Sequence, residues 1–92
     1  MREYEITTSL QKILSKLFKK DKVTYEAIMS KITEIINASN FEVQHYKNLQ
    51  HNLSYSKRVH IMKSFVLIFS FDSRKNKIIF EDYDHHDKIY GK

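Results

Sequence analysis

The sequence predicts an α+β fold in the order β-α-α-β-β-β, an antiparallel sheet packed on one face by a helical hairpin. Three observations predict it. Residues 10–18 and 25–36 carry apolar side chains at helical spacing. Residues 58–61 alternate polar and apolar, the pattern of a strand with one wet face. Residues 65–71 are almost continuously apolar, as in a strand covered on both sides. The 92 residues suit one domain, 1–92, and contain no repeat, linker or low-complexity tract.

The elements follow in order. Tyr4 and Ile6 alternate with Glu3 and Glu5, which predicts a short, half-buried opening strand. Thr7, Thr8 and Ser9 offer helix-capping oxygens, and Gln11 stands three residues after Thr8 as in a weak capping box. Leu10, Ile13, Leu14, Leu17 and Phe18 then form one apolar stripe, with Lys12, Lys16, Lys19 and Lys20 off it. The helix should end near Lys20, where cations suit the negative end of its dipole. A polar connection over 20–22 leads to a second stripe, Tyr25, Ile28, Met29, Ile32, Ile35 and Ile36, capped by Asp21 or Thr24 and ending over 37–40. Helices joined so closely should pack antiparallel. Residues 41–56 read as polar loop with isolated Leu49 and Leu53. Val59 and Ile61 begin the sheet's meander, Lys63 and Ser64 leave room for a tight turn, and 72–77 is a second, polar turn. Ile78, Ile79 and Phe80 open a last strand that turns acidic at Glu81, Asp82 and Asp84, before a tail over 85–92.

Composition removes whole classes of function. With no Cys there is no disulfide, thiolate nucleophile or thiolate metal site. Gly91 is the single glycine and proline is absent, so neither a P-loop nor a dinucleotide-binding loop can form. The longest apolar run, 65–69, falls far short of the roughly 20 residues of a membrane helix, and no signal-peptide block opens the chain. The expectation is a soluble, cytoplasmic protein without a membrane partner. Sixteen Lys and Arg against eleven Asp and Glu give a net charge of +5, which attracts polyanions, nucleic acid first among them.

All five histidines, His45, His51, His60, His85 and His86, lie from residue 45 onward. If Val59 and Ile61 face the helices, alternation turns Arg58, His60 and Met62 to the other face. There His60 reads either as a solvated strand residue or as part of a site. The run Asp84-His85-His86-Asp87 invites a metal, but neighbours in an extended segment face opposite ways. Neither a metal nor a cofactor is expected. The lysines of the first helix have no acidic residue between Thr7 and Lys20 to pair with, so they form either a plain solvent face or a polyanion-binding ridge.

The element order, the lysine-rich first helix and the motifs of the C-terminal half resemble the RelE-superfamily toxins, ribosome-dependent mRNA interferases, and among them the YafQ branch. That branch carries a His-x-Leu loop segment, then a strand histidine followed by a turn ending in Asp-Trp and an aliphatic strand ending in an aromatic. A histidine four residues before an aromatic and glycine closes the pattern. Here the corresponding residues are His51-Asn52-Leu53, then His60 leading through Ser64 and Phe65 to Phe69, then His86-Asp87-Lys88-Ile89-Tyr90-Gly91. The likeness spans the chain, with its specific motifs between His51 and Gly91.

The resemblance implies catalytic roles for His51, His60 and His86, with Tyr90 as the closing aromatic where phenylalanine is usual. Phe65 stands in for the turn tryptophan. Ser64 falls where the branch has an aspartate, and a hydroxyl is neither a base nor a charged partner at neutral pH; Asp84 or Asp87 are the candidates to orient a histidine instead. The implied reaction is metal-independent RNA cleavage by the neighbouring 2′-hydroxyl. It needs a base, an acid and positive charge. Histidine, with an ordinary pKa of about 6.5, serves as either acid or base. Lys57, Arg58 and Lys63 flank His60 as charge stabilisers, and Phe65 and Tyr90 offer base stacking worth roughly 1–3 kcal/mol per base. Lys12, Lys16, Lys19 and Lys20 would meet ribosomal RNA. The implied protein is the toxin of a toxin–antitoxin pair, an endoribonuclease held in check by a cognate antitoxin protein. The alternatives are an inactive or ParE-like binding module of the same fold, or a plain basic nucleic-acid-binding domain. Only the nuclease needs His51, His60 and His86 gathered in one basic hollow.

Overall fold

The structure, a computed structural model, describes residues 2–46 and 56–90. It contains β1 (Glu3–Ile6), α1 (Thr8–Lys20), α2 (Lys22–Asn37), α3 (Asn40–Gln44), β2 (Ser56–Ile61), β3 (Phe65–Asp72), β4 (Lys77–His85) and α4 (His86–Tyr90). None of these helices is long and apolar enough to cross a membrane.

The α1–α2 hairpin hinges on one residue. The Asp21 amide donates to the Leu17 carbonyl at 2.8 Å, closing α1. Its carboxylate accepts from the Thr24 amide at 3.2 Å and the Thr24 hydroxyl at 2.7 Å, opening α2. These two hydrogen bonds hold the Asp21 carboxyl below the usual carboxylate range. At the start of α1 the cap is Thr7, which accepts from the Leu10 amide at 3.2 Å. Gln11 does not close a box with Thr8; its amide reaches back to the Ile6 carbonyl at 2.8 Å.

Strands β2, β3 and β4 form the expected antiparallel meander, but β1 lies parallel to β4, so the sheet is mixed, in the order β1-β4-β3-β2. Glu3 pairs with Lys77 and Ile6 with Phe80. A parallel pair needs no connecting turn, so it leaves no local signature. The segment 41–56 is also not all loop. Ser39 and Glu42 exchange side chain-to-backbone hydrogen bonds in a capping box that starts α3, and Val43 is fully buried beneath it.

The core lies between hairpin and sheet. Leu10 and Leu14 of α1 and Ile28, Ile32, Ile35 and Ile36 of α2 pack against Ile61, Leu67, Phe69, Ile78, Phe80 and Tyr83. Each such side chain contributes about 1.5–3 kcal/mol when removed from water. Val66 and Ile68 point to the opposite face and are buried as well, which explains the unbroken apolar run of β3.

One irregularity sets the phase of β4. Ile68 pairs with Asp82 while Phe69 pairs with Phe80, leaving Glu81 as the extra residue of a bulge. Without it, Asp82 and Asp84 would follow Ile78 and Phe80 into the core. With it, Tyr83 takes the core position and both aspartates turn to the outer face.

Candidate functional site

The register of the meander composes the outer face row by row. Arg58 pairs with Ile68, which pairs with Asp82; His60 pairs with Val66, which pairs with Asp84. Partners in register share a face, so a guanidinium, an imidazole and two carboxylates surround an apolar floor of Val66 and Ile68. The rings of His60 and His86 stack at 5.5 Å between centroids with 22° between planes. Two histidines 26 positions apart in sequence thus meet across the end of β3.

Several bonds fix His86 at the start of α4. Its amide donates to the Ser64 carbonyl at 2.7 Å. The His85 amide donates to Asp84 Oδ1 at 2.7 Å, and His85 Nδ1 accepts from the Asp87 amide at 3.2 Å, an imidazole capping a helix. Asp87 lies 3.8 Å from His86 Nδ1, but its side chain is 87% exposed, so water screens that contact. Among the described residues, no three His, Asp or Glu side chains gather closely enough to hold a metal ion.

The substrate-binding set named from sequence divides into three. Arg58 shares the histidine face. Lys57 does not: it pairs with Phe69 and therefore sits on the core side, where its Nζ donates to the Gln44 carbonyl at 3.2 Å. Burial pushes its ammonium below the usual lysine range. Lys63, Ser64 and Phe65 line a cleft of about 350 Å³ between the β2–β3 turn and the α1–α2 junction. Phe65 is parallel-stacked on Tyr83 at 5.2 Å and edge-on to His85 at 5.3 Å. Met62, placed by alternation beside His60, is instead a turn residue with a left-handed backbone, φ 61°, and lines the same cleft. His51 and the Tyr90 side chain fall outside the described residues.

His45 carries no role in the sequence reading, yet it borders a hollow of about 270 Å³ together with Tyr46, Arg58, Val59 and His60. It stands at the end of α3, its Nδ1 2.7 Å from the Phe41 carbonyl, and its ring packs on Phe41 at 4.1 Å. A carbonyl only accepts, so Nδ1 carries the proton in that bond and Nε2 is the nitrogen left over. The Ser39-to-Glu42 spacing was the signal that could have placed it. Lys12, Lys16, Lys19 and Lys20 are all exposed on α1, and none makes a salt bridge among the described residues.

No family model matches the chain. It is 52% identical over 92 residues to a Methanocaldococcus jannaschii protein titled "Putative toxin RelE4", covering 100% of this chain and 94% of that protein. It is 44% identical over 86 residues to an uncharacterised Methanosarcina mazei protein, covering 94% and 95%. Among solved structures it superposes on the crystal structure of YafQ from E. coli strain BL21(DE3) with a TM-score of 0.65, 18% identity, and coverage of 99% of this chain and 100% of the other, which establishes a shared fold. With one relative matched at 52% identity over the full length and the same architecture found in YafQ, the chain belongs to the RelE family of toxins.

Proposed function

We propose that this chain is the toxin of a toxin–antitoxin pair, a metal-independent endoribonuclease that cuts mRNA on the ribosome and is inhibited by a cognate antitoxin protein. The observation that carries the reading is the stack of His60 and His86 beside Arg58 on the sheet's outer face. One imidazole takes the proton of an RNA 2′-hydroxyl as that oxygen attacks the adjacent phosphorus. The other gives a proton to the 5′-oxygen as its bond to phosphorus breaks. The products are a 2′,3′-cyclic phosphate and a free 5′-hydroxyl. The Arg58 guanidinium supports the charge that builds on the phosphoryl oxygens. Ser64 contributes through its backbone, whose carbonyl anchors His86, rather than through acid–base chemistry.

The test adds purified protein to translating ribosomes and maps the mRNA ends. His60→Ala and His86→Ala should each slow cutting about 10²- to 10⁴-fold without changing the circular dichroism spectrum. Full activity in the double variant would remove the histidines from the chemistry, and 3′ ends lacking a cyclic phosphate would remove the 2′-hydroxyl as nucleophile.

A further inference from the structure

We infer that the cleft between the β2–β3 turn and the α1–α2 junction is a nucleobase pocket, selective for a base whose pairing edge presents N–H donors, guanine above all. The inference rests on the nuclease reading, because the base would belong to the RNA held at His60 and His86. The cleft adjoins His86 directly, because the Ser64 carbonyl accepts from the His86 amide, and Phe65 touches the neighbouring His85 ring.

The walls of the cleft are of two kinds. Leu17, Met62 and Phe65 supply apolar surface, and Phe65 already extends an aromatic stack built on Tyr83. Phe65 is 37% exposed and Met62 56% exposed, side by side on the wall of one cleft. A flat aromatic ligand would cover both. The other end is polar, formed by Asp21 and Thr24. The negative charge of Asp21 is felt at the Tyr83 phenol, which burial first and that charge second push above the usual tyrosine range. The carboxylate therefore sits at the end of the aromatic wall.

A carboxylate has about four acceptor sites, and Thr24 fills one on each oxygen. The remaining two accept. Guanine offers adjacent N1–H and N2–H groups, adenine and cytosine one amino group, and uracil a single N–H between two repelling carbonyls. The rim suits the backbone of the same ligand. Exposed Lys19, Lys20 and Lys22 surround Asp21 in the chain and Lys63 stands on the opposite lip, placing cations where phosphates would lie.

The chain carries three methionines, which makes the experiment direct. Methyl-labelled full-length protein is titrated with each of the four nucleoside 5′-monophosphates. The Met62 methyl should shift saturably, most tightly with guanosine monophosphate and least with uridine monophosphate, while Met29 stays still. Phe65→Ala should weaken all four about ten- to a hundredfold. Asp21→Asn keeps a good helix cap but replaces an acceptor with a donor, so the preference for guanine over uracil should vanish. A silent Met62, or equal affinities untouched by Asp21→Asn, overturns the pocket. If mRNA is cut while Met62 stays silent, the pocket alone fails. If nucleotides bind as stated but ribosomes never yield cut mRNA, the nuclease reading fails and the pocket stands.

Discussion

Arg2 holds together four parts of the chain that are remote in sequence. It is 8% exposed, and its guanidinium donates to Asn76 Oδ1 at 3.2 Å, the Ile35 carbonyl at 3.0 Å and Asn40 Oδ1 at 2.6 Å, while lying 5.2 Å over the Phe71 ring. The Ile35 carbonyl belongs to the last turn of α2, where a cation is favoured, and it takes the Arg2 bond in addition to one from the Ala38 amide at 3.2 Å. Asn76 is held with φ 52° in the β3–β4 turn, a conformation asparagine tolerates better than most residues. Arg2 thus ties the entry of β1 to the end of α2, the start of α3 and a hairpin turn. Replacing it with Met keeps much of the bulk but removes the donor to Asn76 Oδ1 and Asn40 Oδ1 and the second donor to the Ile35 carbonyl, so Arg2→Met should cost about 2 kcal/mol in urea unfolding with an unchanged m-value. Arg2→Lys should restore little of that, since one ammonium cannot span the fork. A loss below about 0.5 kcal/mol in Arg2→Met would show that the network is ornamental. Nothing in the sequence marks this residue, because a lone arginine has no period and its partners lie 33 to 74 positions away.

Elements were legible where a period or a cap speaks locally. The stripes of α1 and α2 and the alternation of β2 bury or half-bury the side chains their spacing selects, Leu10, Ile32 and Ile61 among them, except Phe18, which stays 49% exposed at the end of α1 against Tyr25 and Lys22. The β4 bulge is visible only as a broken phase, with Ile78 and Phe80 followed by Tyr83 rather than by Asp82, and that break is what aligns Asp84 with His60. The pairing of β1 is non-local and could not be read. Short α3 could have been, from Ser39 and Glu42, but five residues carry too little periodicity to stand out. Its anchorage gives a prediction. Just beyond α3, Tyr46 donates to Glu34 Oε2 of α2 at 2.6 Å and packs edge-on against Phe69. The Tyr46 hydroxyl first, then Lys31, holds the Glu34 carboxyl below its ordinary value of 4.5, and burial followed by the same hydrogen bond pushes the Tyr46 phenol up. A carboxyl with a lowered folded pKa stabilises above its ordinary value and loses that contribution as pH falls through the folded one. Tyr46→Phe should therefore cost about 1 kcal/mol or less near neutrality, discounted because Glu34 is largely solvated, and should flatten the fall in stability between about pH 6 and pH 3. Parallel stability-versus-pH curves for the two proteins would show that the bond contributes nothing.

On the scale of the molecule, the two charged features lie on different sides. The hairpin covers one face of the sheet, with Lys12, Lys16, Lys19 and Lys20 in solvent, while Arg58, His60 and His86 occupy the other face. With the sheet between them, Lys12 and Lys16 do not touch a phosphate held at His60 and His86. Lys19 and Lys20 edge the Met62 cleft, while Lys12 and Lys16 would touch a second stretch of RNA, and a particle with RNA on several sides provides one. This separation makes the two surfaces independently testable. Replacing Lys12, Lys16, Lys19 and Lys20 by Gln should weaken ribosome binding and reduce the slope of log affinity against log salt by roughly 3, since each phosphate no longer neutralised accounts for about 0.7–0.9. The cleft should bind all four nucleotides more weakly without Lys19 and Lys20 on its rim, but its base preference, set by Asp21 and Phe65, and the identity of the cut ends should not change. A salt slope equal to that of the unaltered chain would take α1 out of the ribosome interface and leave its lysines as an ordinary solvated face. A change in the cut ends would instead mean that the ridge reaches the scissile phosphate, which the geometry of the hairpin and sheet opposes.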